Sequence, residues 1–252
     1  MTYARFEHQG RVCFGTVDEA QGNVTEISGT PFGHLGEKGP TRPLHAVRIL
    51  APCQPSKIFA VALNYRDHLH GQEAPAEPNI FLKVPSSVVG PEDAILLPPG
   101  AGRVDEEAEL VVVIGKRCKN VPRSKALTCV LGYTCGNDVS ARVWQKSDRN
   151  WWRAKSSDTF APIGPWISTD LIPEELAIRA LINGSEVQHC SVRDLIFDIP
   201  ALIEWITHSV TLEPGDLIFT GTSGSPAELH VGDVVEVSID GIGALRNPVR
   251  QE

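Results

Sequence analysis

Nothing in this 252-residue chain approaches the roughly 18 consecutive apolar residues that a helix needs to cross a bilayer. The opening residues Met1-Thr2-Tyr3-Ala4-Arg5-Phe6-Glu7 lack the apolar core of a signal peptide, so a cytoplasmic protein is expected. Basic residues are in the minority, 23 Lys and Arg against 31 Asp and Glu. The resulting formal charge of −8 argues against nucleic acid or an anionic membrane as partner. The six cysteines contain no CxxC pair and no regular framework, which predicts reduced thiols. Cys129 and Cys135, though close in sequence, read as small buried hydrophobes rather than a redox pair. No Walker loop and no GxGxxG fingerprint occurs, which removes support for a nucleotide site.

What is present is the composition of an ordinary globule, 42% hydrophobic and 21% charged. Residues 1–50 alternate weakly and carry repeated turn signals, predicting a small N-terminal β domain of short strands. A proline-containing stretch at 49–56 marks the boundary, and 51–252 form the main domain. Strands are predicted at 57–63, 79–83, 110–115, 130–135, 176–182, 216–220 and 233–239. Asn183-Gly184 marks a tight hairpin. Helical spacing covers 195–208, and shorter helices are expected at 122–127 and from Asp138 to Gln145. Many strands, few helices and no regular βαβ alternation give an α+β protein, mainly β, with a rolled antiparallel sheet.

The most telling segment is Glu107-Ala108-Glu109 running into Leu110-Val111-Val112-Val113-Ile114-Gly115. The run is short and rich in β-branched residues, so it reads as a buried strand. Side chains at i and i+2 share a strand face, which points both carboxylates the same way. Two such charges, partly desolvated, repel unless a cation lies between them. Taken alone, the pair reads more readily as a solvated acidic edge that blunts a strand end, and it is the rest of the chain that favours the cation. Asp138 is the natural third carboxylate, and also a plausible helix cap before Val139-Ser140-Ala141. An all-oxygen set selects Mg²⁺, Mn²⁺ or Ca²⁺ over zinc.

His68 follows a predicted strand end, where an imidazole serves as a general base or is simply a loop residue. His68 and His70 also form an HxH pair, without an identifiable third ligand. Lys155 lies between Trp151-Trp152 and the apolar turn Phe160-Ala161-Pro162-Ile163-Gly164-Pro165-Trp166. It is either a surface charge or a partner for a substrate carboxylate or developing enolate.

Taken in order, these segments resemble the fumarylacetoacetate hydrolase family. Asn64-Tyr65-Arg66-Asp67-His68 resembles its N-Y-x-x-H segment, and residues 107–115 its E-x-E-L-x-x-V-I-G metal strand. Gly132-Tyr133-Thr134-Cys135-Gly136-Asn137-Asp138 resembles the segment that carries the third ligand. Residues 155–165 resemble the K-S-x-D-x-F-x-P-x-G-P turn, and 214–222 the P-G-D-x-I-x-T-G-T strand. The likeness covers residues 57–249 and implies the family's β-rich fold. It also implies Mg²⁺ or Mn²⁺ on Glu107, Glu109 and Asp138, oxo-acid substrates, and a homodimer. His68 and Lys155 are implied as catalytic, and Tyr65, Gln145 and Thr222 as substrate contacts.

Two departures bear on the reaction. Hydrolytic members usually place a glutamate three residues after the histidine; here that residue is Gly71, and Glu73 substitutes only if the loop refolds. After Thr222 the usual G-T-P-x-G is replaced by Gly221-Thr222-Ser223-Gly224-Ser225. The first expectation is hydrolysis of the C–C bond of an acylpyruvate-like dioxo acid. The alternative is decarboxylation or tautomerisation of an oxo-diacid, such as a hydroxyheptadienedioate or oxaloacetate. A non-catalytic scaffold is the third reading, opposed by the intact carboxylates and Lys155.

Overall fold

The computed structural model describes residues 1–69 and 71–252; His70, and with it the HxH pairing, lies outside them. The chain is mainly β and builds an open, mostly antiparallel sheet of 12 strands that a second sheet of five strands packs against. Thr2–His8, Arg11–Asp18, Asn23–Gly29 and Leu35–Pro43 form the expected N-terminal meander. This meander continues the large sheet, because Thr2 and Tyr3 pair with Ser168 and Ile167.

Ala108–Ile114 is buried along its whole length in the middle of that sheet. It lies between Val130–Asn137 and Leu217–Phe219, antiparallel to both. Alternate residues serve two cores. Leu110, Val112 and Ile114 join a cluster with Leu202, Ile203 and Ile206 of the helix Ile199–Ser209. Val111 and Val113 join Ile58, Ala60 and Phe219. Both faces are covered, which is why the sequence shows a continuous apolar run instead of alternation. Truncating Leu110 to Ala would therefore cost about 2–5 kcal/mol.

Leu217–Phe219 also runs parallel to Ile58–Ala62, whose other neighbour, Asn79–Lys83, ends the sheet. At the end of Ile58–Ala62 the chain bends through Leu63, with φ of 59°, into buried Asn64. The Asn64 amide donates to the carbonyls of Phe197 and Thr220 and accepts from the Phe197 N–H. That clamp fixes where the His68 segment leaves the sheet. The five-stranded sheet contains the predicted hairpin, with Ala177–Ile182 and Ser185–Ser191 joined at Asn183-Gly184. Their φ values of 53° and 80° are those of the tight turn such a pair favours.

Several predicted elements differ. Asp138 opens no helix: Val130–Asn137 ends just before it, Ser140–Ala141 pairs with Val104–Asp105, and the helix is Arg142–Ser147. The apolar turn after Phe160 is the strand Ala161–Ser168, hydrogen-bonded to both Val130–Asn137 and Thr2–His8. Its prolines masked a strand that pairing on both sides stabilises. The long helix begins at Ile199, four residues late, because the Asp198 carboxylate caps the Ala201 N–H and Pro200 occupies the first turn. Residues 123–129 form a 3-10 segment, Arg123–Cys129, instead of an α-helix. All six cysteines are free thiols. No helix among the described residues is long and apolar enough to cross a membrane.

Candidate metal centre and active site

Glu109 lies on the central strand and Glu107 immediately precedes it, two residues away on the same side. Asn137 holds the neighbouring strand in register, its side-chain oxygen accepting the Glu107 N–H at 2.9 Å. The Asp138 N–H donates to the Glu107 carbonyl at 2.9 Å, bringing the third carboxylate alongside. One oxygen from each of Glu107, Glu109 and Asp138 lies within 4.8 Å of the others, and all three residues are buried.

The cations are unevenly shared. Lys155 Nζ donates at 2.6 Å to both Glu107 Oε2 and Asp138 Oδ2. Lys83 Nζ donates to Asp138 Oδ1 at 2.5 Å and also to the Lys155 carbonyl. Arg142 Nη2 lies 2.7 Å from Glu107 Oε1. Glu109 accepts the Gly221 N–H at 2.7 Å, and among the described residues no basic side chain pairs with it. Burial opposes ionisation of Glu107, but Lys155 and Arg142 outweigh it and hold its carboxyl well below the usual range. Burial, reinforced by Asp138 and Glu107, pushes Glu109 well above it. Burial would lower Lys155, yet Asp138 and Glu107 keep it above its ordinary value. Three converging carboxylates, one of them raised by burial and by the other two, fit a hard divalent ion with oxygen ligands.

The triad lies in a cavity of about 250 Å³ that also includes His68, Gln72, Phe81, Arg142, Gln145, Trp151, Lys155 and Thr222 among its lining. His68 Nδ1 donates to the Gly224 carbonyl at 2.7 Å, which makes Nε2 the basic nitrogen of the neutral ring. Gln145 accepts from Arg142 Nη1 at 3.0 Å. Thr222 Oγ1 donates to the Ala108 carbonyl and accepts from Gln188 Nε2. Lys155 sits on the short helix Trp152–Ser156, its ammonium 5.0 Å from the centre of the Phe81 ring.

Two expected residues are placed elsewhere. Tyr65 is fully buried outside the cavity lining, its phenol beside Cys190. It follows the Asn64 clamp and bridges Leu195, which turns it into the core. Glu73 is exposed and does not line the cavity; Gln72 takes that place. Gly71 precedes it with φ of 84°, a conformation that turns the chain after the 3-10 segment Asp67–Leu69. Lys83, Arg142 and Gln72 were not foreseen. Only nearness to residues already singled out pointed to two of them: Gln72 stands four residues after His68, and Arg142 three residues before Gln145.

A mainly β fold with a buried Glu-x-Glu and aspartate centre, flanked by lysine and histidine, defines the class. The model described as "Fumarylacetoacetate (FAA) hydrolase C-terminal" matches residues 57–250, and the chain belongs to that family. A second model, "Rv2993c-like, N-terminal", matches residues 1–52. Protein Rv2993c of Mycobacterium tuberculosis is 44% identical, with 99% of this chain and 98% of that protein covered. Oxaloacetate tautomerase fahd2 of Xenopus laevis is 44% identical, covering 81% of this chain and 68% of its own. Among solved structures, a 2-hydroxyhepta-2,4-diene-1,7-dioate isomerase from Mycobacterium marinum superposes with a TM-score of 0.94 at 43% identity, covering 100% of this chain and 99% of its own. A maleylpyruvate hydrolase from Sphingobium, solved with manganese and pyruvate, gives 0.82 at 30% identity, covering 100% and 99%.

Proposed function

We propose that this chain is a metal-dependent tautomerase or isomerase that moves a proton on an oxo-diacid through an enolate. The observation that carries this choice is the His68 loop. The residue where a hydrolytic relative would place its water-activating glutamate is Gly71, and Glu73 is exposed outside the cavity. The metal triad supplies the only carboxylates lining that chamber among the described residues. Proton transfer consumes no water and needs no second carboxylate. The tautomerase and isomerase named above, each more than 40% identical, support the same choice.

Glu107, Glu109 and Asp138 would hold Mg²⁺ or Mn²⁺, and the bound ion supplies Lewis acidity toward the oxo-acid head. His68 removes the proton from the carbon next to the oxo group. Charge then develops on the substrate oxygen, where Lys155 donates a hydrogen bond. His68 returns the proton to that oxygen, or to a carbon further along a conjugated chain. Gln145 and Thr222 orient the substrate from the cavity wall.

Exposed Leu82, Val84 and Trp152 lie on and beside the outermost strand, next to the cavity. They support a homodimer across that edge. Six free thiols suit a reducing cytoplasm.

The deciding assay follows keto–enol conversion of oxaloacetate and of a hydroxyheptadienedioate by ultraviolet absorbance, beside acylpyruvate cleavage, with products identified. Tautomerisation or isomerisation that disappears in His68→Ala is the expected result. Cleavage of acylpyruvates without either proton transfer would instead establish the C–C hydrolase.

A further inference from the structure

The cavity that holds the carboxylates adjoins a second, larger one, and the two share part of their lining. The outer chamber, about 740 Å³, is lined by Arg103, Asp105, Lys146, Ser225 and Pro226. His68, Gln72, Arg142 and Gln145 line both chambers and form the waist between them.

The two chambers differ in charge. In the inner one both lining cations, Lys155 and Arg142, are tied to carboxylates. In the outer one Arg103, Arg142 and Lys146 face a single acid, Asp105. Buried Asp105 already receives Arg103 Nε at 2.6 Å and Arg142 Nε at 2.7 Å. Lys146, exposed at the chamber wall, has no hydrogen-bond or ion-pair partner among the described residues. Its position follows from the helix Arg142–Ser147: residues i, i+3 and i+4 share a face, so Arg142, Gln145 and Lys146 line one continuous wall.

We propose that the outer chamber is a subsite for a second carboxylate at the far end of the substrate. Lys146 is its specificity-determining residue and Arg103 its second cationic contact. This rests on the reading that the inner chamber holds the oxo-acid head. Arg142 already contacts Glu107, and Lys146 stands one helical turn, about 5.4 Å, beyond it, so a diacid held by that head must extend past Arg142 to reach Lys146. The substrate class is therefore a 2-oxo diacid, or its enol, whose chain is several carbons longer and threads the waist at His68. A tail of equal length without the terminal charge gains nothing from Lys146.

The test measures binding, not turnover. Calorimetry would compare 2-oxoheptanedioate with 2-oxoheptanoate, equal in carbon count, on Mg²⁺-loaded wild type, Lys146→Met and Lys146→Glu. The diacid is expected to bind about tenfold more tightly than the monoacid to wild type. One solvent-exposed charge pair is worth about two- to fivefold, so Lys146→Met should shrink that ratio by this factor and Lys146→Glu by more. Monoacid affinity should change by less than about twofold, since an exposed charge away from the head contributes little. A monoacid that binds, with the same diacid preference or none in all three proteins, would overturn the subsite and leave the inner-chamber reading standing. If neither compound binds the loaded wild type at millimolar concentration, the inner-chamber reading fails and the subsite with it.

Discussion

At the scale of the residue, this site is a problem in distributing charge. Lys155 bridges Glu107 and Asp138, Lys83 takes the other oxygen of Asp138, and Glu109 has, among the described residues, only a backbone N–H. Glu109 is thus the carboxylate whose charge most needs a bound ion. Replacing it with Gln keeps the shape and removes a buried like-charge repulsion. Glu109→Gln should therefore leave the metal-free protein at least as stable as wild type, while lowering Mg²⁺ affinity by about tenfold or more, as when a ligand's support is lost. Thermal melts with and without Mg²⁺ check both halves; an undiminished Mg²⁺-induced shift would remove Glu109 from the ligand set. Lys155→Met should reduce kcat at saturating metal by about 10²–10³-fold, the range for losing a preorganised donor to developing charge. Steady-state kinetics reads this, and a change confined to KM would make Lys155 a binding residue only.

At the scale of the element, the site depends on how strand ends are fixed. Gly221 donates to Glu109 from a backbone with φ of 104°, and a Cβ there would come within 2.8 Å of Asn64 Cβ. Asn64 is the clamp that launches the His68 segment. Gly221→Ala should therefore destabilise the fold by about 1–3 kcal/mol, from combined strain and overpacking. It should also weaken Mg²⁺ binding, since the shifted N–H no longer supports Glu109. Denaturant midpoints and metal titration test the pair of effects; a variant with wild-type stability would show that the Asn64 clamp yields easily. The strand Ala108–Ile114 was legible in the sequence because its apolar run is unbroken. Ala161–Ser168 was not, since its prolines read as a turn and only pairing with two neighbours makes it a strand.

At the scale of the whole molecule, the division at residue 50 is one of sequence more than of sheet. The first strand pairs with Ala161–Ser168, and Ala4, Phe6 and Val24 pack with Trp166. Residues 51–252 produced alone should melt at a lower temperature and aggregate, because an apolar strand edge is left open. Scanning calorimetry and light scattering measure this, and an unchanged melting temperature would make the main domain independent. The proposed dimer predicts that Trp152→Glu yields monomers by light scattering, through a charge placed in the apolar patch at the sheet's outer edge.

The sequence by itself singled out Glu107, Glu109 and Asp138 as one acidic group, because an i, i+2 pair of glutamates entering a buried strand shares a face; that all three converge within 4.8 Å was decided by the pairing of two strands. It also determined that His68 and Lys155 belong to the same site, through family resemblance rather than spacing. Tertiary structure decided the rest. Lys83 and Arg142 reach the carboxylates from separate elements, a strand and a short helix, and no local pattern encodes that convergence. Tyr65 turned inward and Glu73 outward for the same reason: the Asn64 clamp, built from Phe197 and Thr220 more than 130 residues away, sets the direction in which that loop leaves the sheet.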